Sequence, residues 1–257
     1  MSLVEVERHG DVAHVVLSDP PLNRFSMDLA RDLSTAVAEV SSSDARAVLL
    51  RAEGEHFSAG ADVNMFIGLS EEEARGGLDE FMEMVHQLER LEIPTLAAVQ
   101  GACVAAGLEV ALGCDLIWAA DESQMGQLEA MIGATPFAGG SQRLVARAGA
   151  GRAKEMVMTG GLYPAEKMLE WGVVQRVVPT AALREKAERF AARLAAGPTR
   201  AHAVTKQVMR AHLEGGLEQA DAILPALGAT VMITEDLQNG VKTFLEQGPG
   251  KAEFNGR

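Results

Sequence analysis

The chain has 257 residues, 47% hydrophobic and 23% charged, which is enough for a sizeable core in one domain or a domain with an appendage. A formal net charge of −13 argues against the basic face of a nucleic-acid binder and against attraction to an anionic membrane. It leaves open a small anionic ligand, because a few local cations and backbone N–H groups can hold one.

The opening MSLVEVERHG carries acids at once and has no apolar run, so no secretory signal and a cytoplasmic location are expected. VAHVVLS (12–18) reads as a strand. Ser26 is placed to cap a helix from Met27 to Val40, in which Leu29, Leu33, Val37 and Val40 recur at helical spacing. RAVLLRA (46–52) reads as the next strand, followed by a turn of small residues, HFSAGAD (56–62). LSEEEARGG (69–77) reads as a mobile connection to a helix marked by Leu78, Phe81, Met82, Val85 and Leu88. TLAAVQG (95–101), DLIWAA (115–120) and VVQRVV (173–178) read as further strands. Strands alternating with helices imply an α/β core.

After Pro179 the pattern is helical only: 181–196, 199–213, 217–232 and 234–247, with stops at Gly197-Pro198 and Gly215-Gly216. Pro225 is expected to kink the third of these. The chain thus divides into an α/β core, 1–196, and a helical region, 197–257. Residues 96–120 are long enough to suggest a membrane span, but Gln100, Glu109, Asp115 and three glycines favour a buried segment. Cys103 and Cys114 lie in the same stretch and read as buried free thiols.

Several motifs fail. The six histidines show no metal-ligand spacing, so no metal is expected. GAGRAK (149–154) lacks the last glycine of a dinucleotide fingerprint, GATPFAGGS (133–141) lacks a P-loop lysine, and no GxSxG elbow occurs.

What remains is a carboxylate, Glu109, in an almost wholly apolar stretch, with Glu129 twenty residues on. Burying an unpaired carboxylate is costly, so Glu109 either meets a structural partner or serves chemistry. Ala106 and Gly107 stand where a helix begins, and the first N–H groups of a helix have no intrahelical partner. With one more N–H from the turn around Gly60-Ala61 they would stabilise negative charge on a carbonyl oxygen. Two desolvated glutamates beside that carbonyl could share acid and base roles.

FSAGAD, GACVAAGLEVALGCDL and MGQLEAMIGATPFAGGSQRL resemble, in order and spacing, blocks of the crotonase (enoyl-CoA hydratase/isomerase) superfamily. The likeness continues through GRAKEMVMTGG, WGVVQRVV and EDLQNGVKTFLEQ and covers essentially the whole chain. It implies a spiral of ββα turns with C-terminal helices that trimerise, giving a homotrimer or a hexamer of two trimers. It implies an acyl-CoA thioester as ligand, with coenzyme A as part of the substrate and no separate cofactor. By the same resemblance, Ala61 and Ala106 supply the oxyanion-hole N–H groups. Glu109 activates a water for attack on the β carbon, and Glu129 delivers a proton to the α carbon. Arg24, Ala59, Asp62, Val63 and Lys251 fall at coenzyme A positions. The implied reaction is hydration of a trans-2-enoyl-CoA. The alternatives are double-bond isomerisation using mainly Glu129 and a non-catalytic relative that binds RNA or CoA. Two departures stand out: AAG (105–107) in place of GGG, and QLE (127–129) in place of QPE.

Overall fold

A computed structural model describes residues 2–257. In chain order the core elements are β1 (Val4–His9), β2 (Val12–Leu17), α1 (Met27–Ser41), β3 (Ala47–Ala52), α2 (Glu71–Arg90), β4 (Thr95–Val99) and β5 (Ala102–Val104). There follow α3 (Ala106–Leu112), β6 (Leu116–Ala120), β7 (Gln124–Gly126), α4 (Gly140–Ala148), α5 (Ala150–Thr159), β8 (Tyr163–Pro164), α6 (Ala165–Glu170) and β9 (Arg176–Val178). The chain ends with α7 (Leu183–Ala195), α8 (Thr199–Met232) and α9 (Glu235–Gln247).

The larger sheet has the order β1-β2-β3-β4-β6-β9, parallel except for the antiparallel β1–β2 hairpin. Its central strands are buried on both faces, which is why they read as near-continuous apolar runs, interrupted by His14 in β2 and Arg51 in β3. Ala13, Val15 and Leu17 join the main core, while Val12 faces the other way. Ala47, Leu49, Leu96, Ala98, Trp118 and Ala120 point the same way as Val12 and are covered by Ala187, Ala191 and Ala195 of α7.

A smaller sheet, β5-β7-β8, stands beside it. Ser58 bridges Cys103, and Cys103 pairs with Met125, so three successive passes of chain line up there. Each pass lays one strand in the large sheet, a short stretch at the small sheet (the Ser58 bridge, β5 or β7), and then a helix. This is the spiral of ββα turns, and it brings the loops after β3, β5 and β7 together.

The structure corrects several sequence readings. Residues 71–77 are not a mobile connection but the first turns of α2. Ser70 and Glu73 form a reciprocal capping box: Ser70 Oγ accepts from Glu73 N, and the Glu73 carboxylate accepts from Ser70 N at 2.9 Å. The strand expected at 173–178 shortens to 176–178, because the Val173 and Val174 N–H groups bond to Met168 O and close the end of α6. In α8 the non-helical residue is Gly216, at φ 75°, ψ −170°, as the Gly215-Gly216 stop anticipates; Pro225 lies within the helix.

The helical region is tied to the core by partly buried polar contacts. Arg46 donates to Gly197 O (2.8 Å), Thr199 Oγ1 (3.0 Å) and Phe254 O (3.1 Å). Lys206 reaches Ile93 O and pairs with Asp115 at 2.8 Å. Asp115 also accepts from Thr95 N and Oγ1, so this second carboxylate of the apolar stretch is a structural anchor. Among the described residues no helix is long and apolar enough to cross a membrane.

Candidate active site

The site starts from two backbone turns. Phe25 N donates to Gly60 O and Asp62 N donates to Phe25 O, a parallel bridge that turns the Ala61 N–H the other way. At the end of β5, Ala105 N donates to Gly126 O, and the chain then swings into α3. Ala105 makes that swing at φ 48°, ψ −125°, a conformation an L-residue adopts at a cost of about 1–3 kcal/mol. The departure from GGG therefore falls hardest on Ala105, whereas Ala106 is an ordinary first helical residue. Neither the Ala61 nor the Ala106 N–H has an acceptor among the described residues. Glycine holds the two turns close: a Cβ on Gly107 would lie 2.5 Å from Ser58 Cβ, and one on Gly60 2.9 Å from Ala105 Cβ. Ala61 and Ala106 consequently line one cavity, of about 330 Å³.

Glu109 and Glu129 line the same cavity. Glu109 sits one turn into α3 and is 2% exposed. Its Oε1 accepts from Ala138 N and Gly140 N, both at 2.8 Å. Burial pushes its pKa up to about 7; the two N–H bonds and the Arg143 charge oppose this, and the Glu129 charge adds to it. Glu129, at the start of a short 3₁₀ turn, is 9% exposed, and burial raises its pKa as well. With the Gln127 amide oriented to donate, its nitrogen lies 3.0 and 2.8 Å from the two Glu129 oxygens. Gln127 is fully buried and packs under Gly140, where a Cβ would come within 2.5 Å of its amide.

Gln127 and the 138–140 loop were invisible as functional groups in the sequence, although both lie inside a motif already singled out. Arg143 was missed too. It makes a two-pronged pair with Glu89 on α2, at 2.7 and 2.6 Å. Its Nη1 donates to Ala138 O and Gly139 O, both at 3.1 Å. Its grip on Gly139 O fixes the peptide plane whose N–H, that of Gly140, holds Glu109, and its grip on Ala138 O steadies the residue that supplies the other donor. No spacing in the sequence reveals this; an arginine just inside a glycine-rich helix start was the only hint.

The remaining candidates divide. Ala59 and Val63 line the cavity, and Ala59 N donates to Leu22 O, so the segment 22–25 runs along the 59–62 turn. Arg24 is exposed on this rim, close enough for its charge to favour ionised Asp62 after the Asn64 hydrogen bonds. Asp62 itself caps the 3₁₀ turn Val63–Phe66. Lys251 does not line the cavity. It lies on the C-terminal strap, which is held through Asn255 N and Gly256 N to Asp236 and through Asn239 to Glu253 O. Cross-strand register brings Glu7, His9 and His14 within 4.8 Å of one another, a grouping the linear spacing does not show. There Arg51 pairs with Glu7 at 2.9 Å, so the one carboxylate of the group already has a cationic partner.

A family model described as enoyl-CoA hydratase/isomerase matches residues 7–257. The chain belongs to the enoyl-CoA hydratase/isomerase family. It is 30% identical over 247 residues to the short-chain-enoyl-CoA hydratase of Clostridium acetobutylicum, covering 95% of each chain. Among solved structures it resembles an enoyl-CoA hydratase from Bacillus anthracis, with a TM-score of 0.92, 28% identity and 99% and 100% of the two chains covered. An enoyl-CoA hydratase from Mycobacterium smegmatis gives a TM-score of 0.90 at 27% identity, covering 95% and 96%. The family acts on acyl-CoA thioesters, and the fold is the crotonase spiral with a helical C-terminal region.

Proposed function

We propose that the protein adds water reversibly to a trans-2-enoyl-CoA, giving a 3-hydroxyacyl-CoA. The carrying observation is one cavity shared by two buried carboxylates of raised pKa and two N–H groups with no acceptor among the described residues. The Ala61 and Ala106 N–H groups hold the thioester oxygen and stabilise the charge that develops on it during attack. Glu109 accepts a proton from water as the water oxygen bonds to the β carbon. Glu129, steadied by Gln127, supplies the proton that bonds to the α carbon. Arg24 meets the anionic coenzyme A moiety at the rim. No separate cofactor takes part. The deciding experiment is product analysis on 2-enoyl and 3-enoyl thioesters. A 3-hydroxyacyl product from the 2-enoyl thioester is expected. Interconversion of the two enoyl forms without uptake of water overturns hydration in favour of isomerisation through Glu129.

The same reading includes a homotrimer, alone or paired into a hexamer. Its support is the apolar surface of α8: Leu213 is 69% exposed, Leu217 70% and the following Ile233 83%. Light scattering is expected to show no monomer at micromolar concentration, and a stable monomer overturns this part.

A further inference from the structure

A second cavity, of about 590 Å³, adjoins the first. Met65, Phe66, Leu78, Phe81, Ile132 and Phe137 line both. Phe66 and Phe137 meet edge-on across the boundary, with centroids 5.8 Å apart. The second space lies between α1, which contributes Met27 and Arg31, and the first turns of α2.

The composition of α2 explains why the space exists. Its inward stripe at helical spacing is Ala74, Gly77, Leu78, Phe81, Val85 and Leu88. Toward the C-terminus these side chains are large, and Phe81, Val85 and Leu88 are buried. Toward the N-terminus the stripe shrinks to alanine and glycine, and no residue before Phe81 is buried. Gly76 and Gly77 sit inside the helix, where glycine is unfavourable, and a Cβ on either would meet nothing within 4 Å. No turn or close approach requires them. The roof of this chamber is hollow because its side chains are missing.

Resting on the hydratase reading, we propose that this chamber receives the distal acyl chain, making medium- and long-chain straight enoyl thioesters the preferred substrates. The tail passes from the carboxylates alongside the Phe66–Phe137 contact, over Leu78 and Phe81, and under the Ala74–Gly77 stretch. It ends towards the Arg31–Glu80 pair, 2.9 Å apart, at the outer edge. The lining is mostly apolar and suits an aliphatic tail.

The test compares crotonyl-CoA with 2-dodecenoyl-CoA and 2-hexadecenoyl-CoA on the wild type and on Gly77→Leu. The wild type is expected to have its higher kcat/KM on the long thioesters. Gly77→Leu places a side chain in the chamber, and the ratio of long-chain to short-chain kcat/KM is expected to fall at least ~10-fold, the scale of a pocket altered by a methylene or more. The variant removes a mid-helix glycine, so its Tm is expected to rise by about 2–4 °C, which separates lost tail binding from misfolding. A wild type confined to crotonyl-CoA, or a ratio unmoved by the substitution, overturns the chamber and leaves hydration standing. If no enoyl thioester is turned over, hydration fails, and binding of saturated acyl-CoAs still decides the chamber. Palmitoyl-CoA should then bind more tightly than butyryl-CoA to the wild type and lose that advantage in Gly77→Leu; equal affinities overturn it.

Discussion

Glu109→Gln and Glu129→Gln are each expected to lower hydration of a trans-2-enoyl-CoA by at least ~100-fold, the usual scale for a lost general acid or base. Folding should survive at both positions. In Glu109→Gln the new amide's carbonyl oxygen can take the place of Oε1 and keep the bonds from Ala138 N and Gly140 N. The two losses should not multiply. Burial raises the proton affinity of both groups, the charge of Glu129 raises that of Glu109 further, and both act in one step of the same reaction. The double variant is therefore expected to be scarcely slower than the worse single one. Steady-state kinetics on the three variants checks this. A double loss equal to the product of the single losses would mean that the two groups act independently. Full activity in both single variants would remove the site assignment itself.

The second large effect is on stability. Glu109 binds its proton with an affinity near pH 7 in the fold, against an ordinary value of 4.5. Between those values the folded protein holds a proton that the unfolded chain has released. Stability therefore falls as pH rises from about 4.5 to about 7, and the penalty is fully present above that. Its ceiling is about 3 kcal/mol. Glu109→Gln removes the penalty. The variant is expected to match the wild type near pH 4 and to exceed it by up to about 3 kcal/mol at pH 8. Urea unfolding at a series of pH values measures the difference. A gap that does not open across this window would show that the fold does not raise the pKa of Glu109. The inactive variant being the more stable one is the expected signature of a group kept for chemistry at the expense of the fold.

The sequence showed most of the large sheet because its central strands are buried on both faces and are nearly continuous apolar runs. It showed the helix 27–41 because Ser26 caps it and the apolar spacing is regular. It hid β1, whose alternating VEVERH is an edge strand, and the smaller sheet, whose strands run to three residues or fewer. The capping box that starts α2 was readable in SEEE, but charge and glycine together looked like a loop. In the site, Glu109 was conspicuous as a carboxylate without polar neighbours in sequence. The groups that hold it were not: Ala138 and Gly140 act through backbone N–H, which any residue but proline owns. The Glu89–Arg143 clamp joins residues 54 apart in sequence, and only the folded chain brings them together. The positive φ of Ala105 is likewise imposed by the turn from β5 into α3, not by any preference of alanine.

Both N–H bonds to Glu109 end on the same atom. A carboxylate in water is symmetric, and a proton arriving from solvent finds either oxygen equally. Here that symmetry is broken. Oε1 has its lone pairs committed to Ala138 and Gly140, so an incoming proton settles on Oε2. The neutral form then carries its hydroxyl on one defined oxygen rather than on either. Whatever lies beside Oε2 meets a donor or an acceptor at one point in space, and the direction of proton traffic is settled before any substrate arrives.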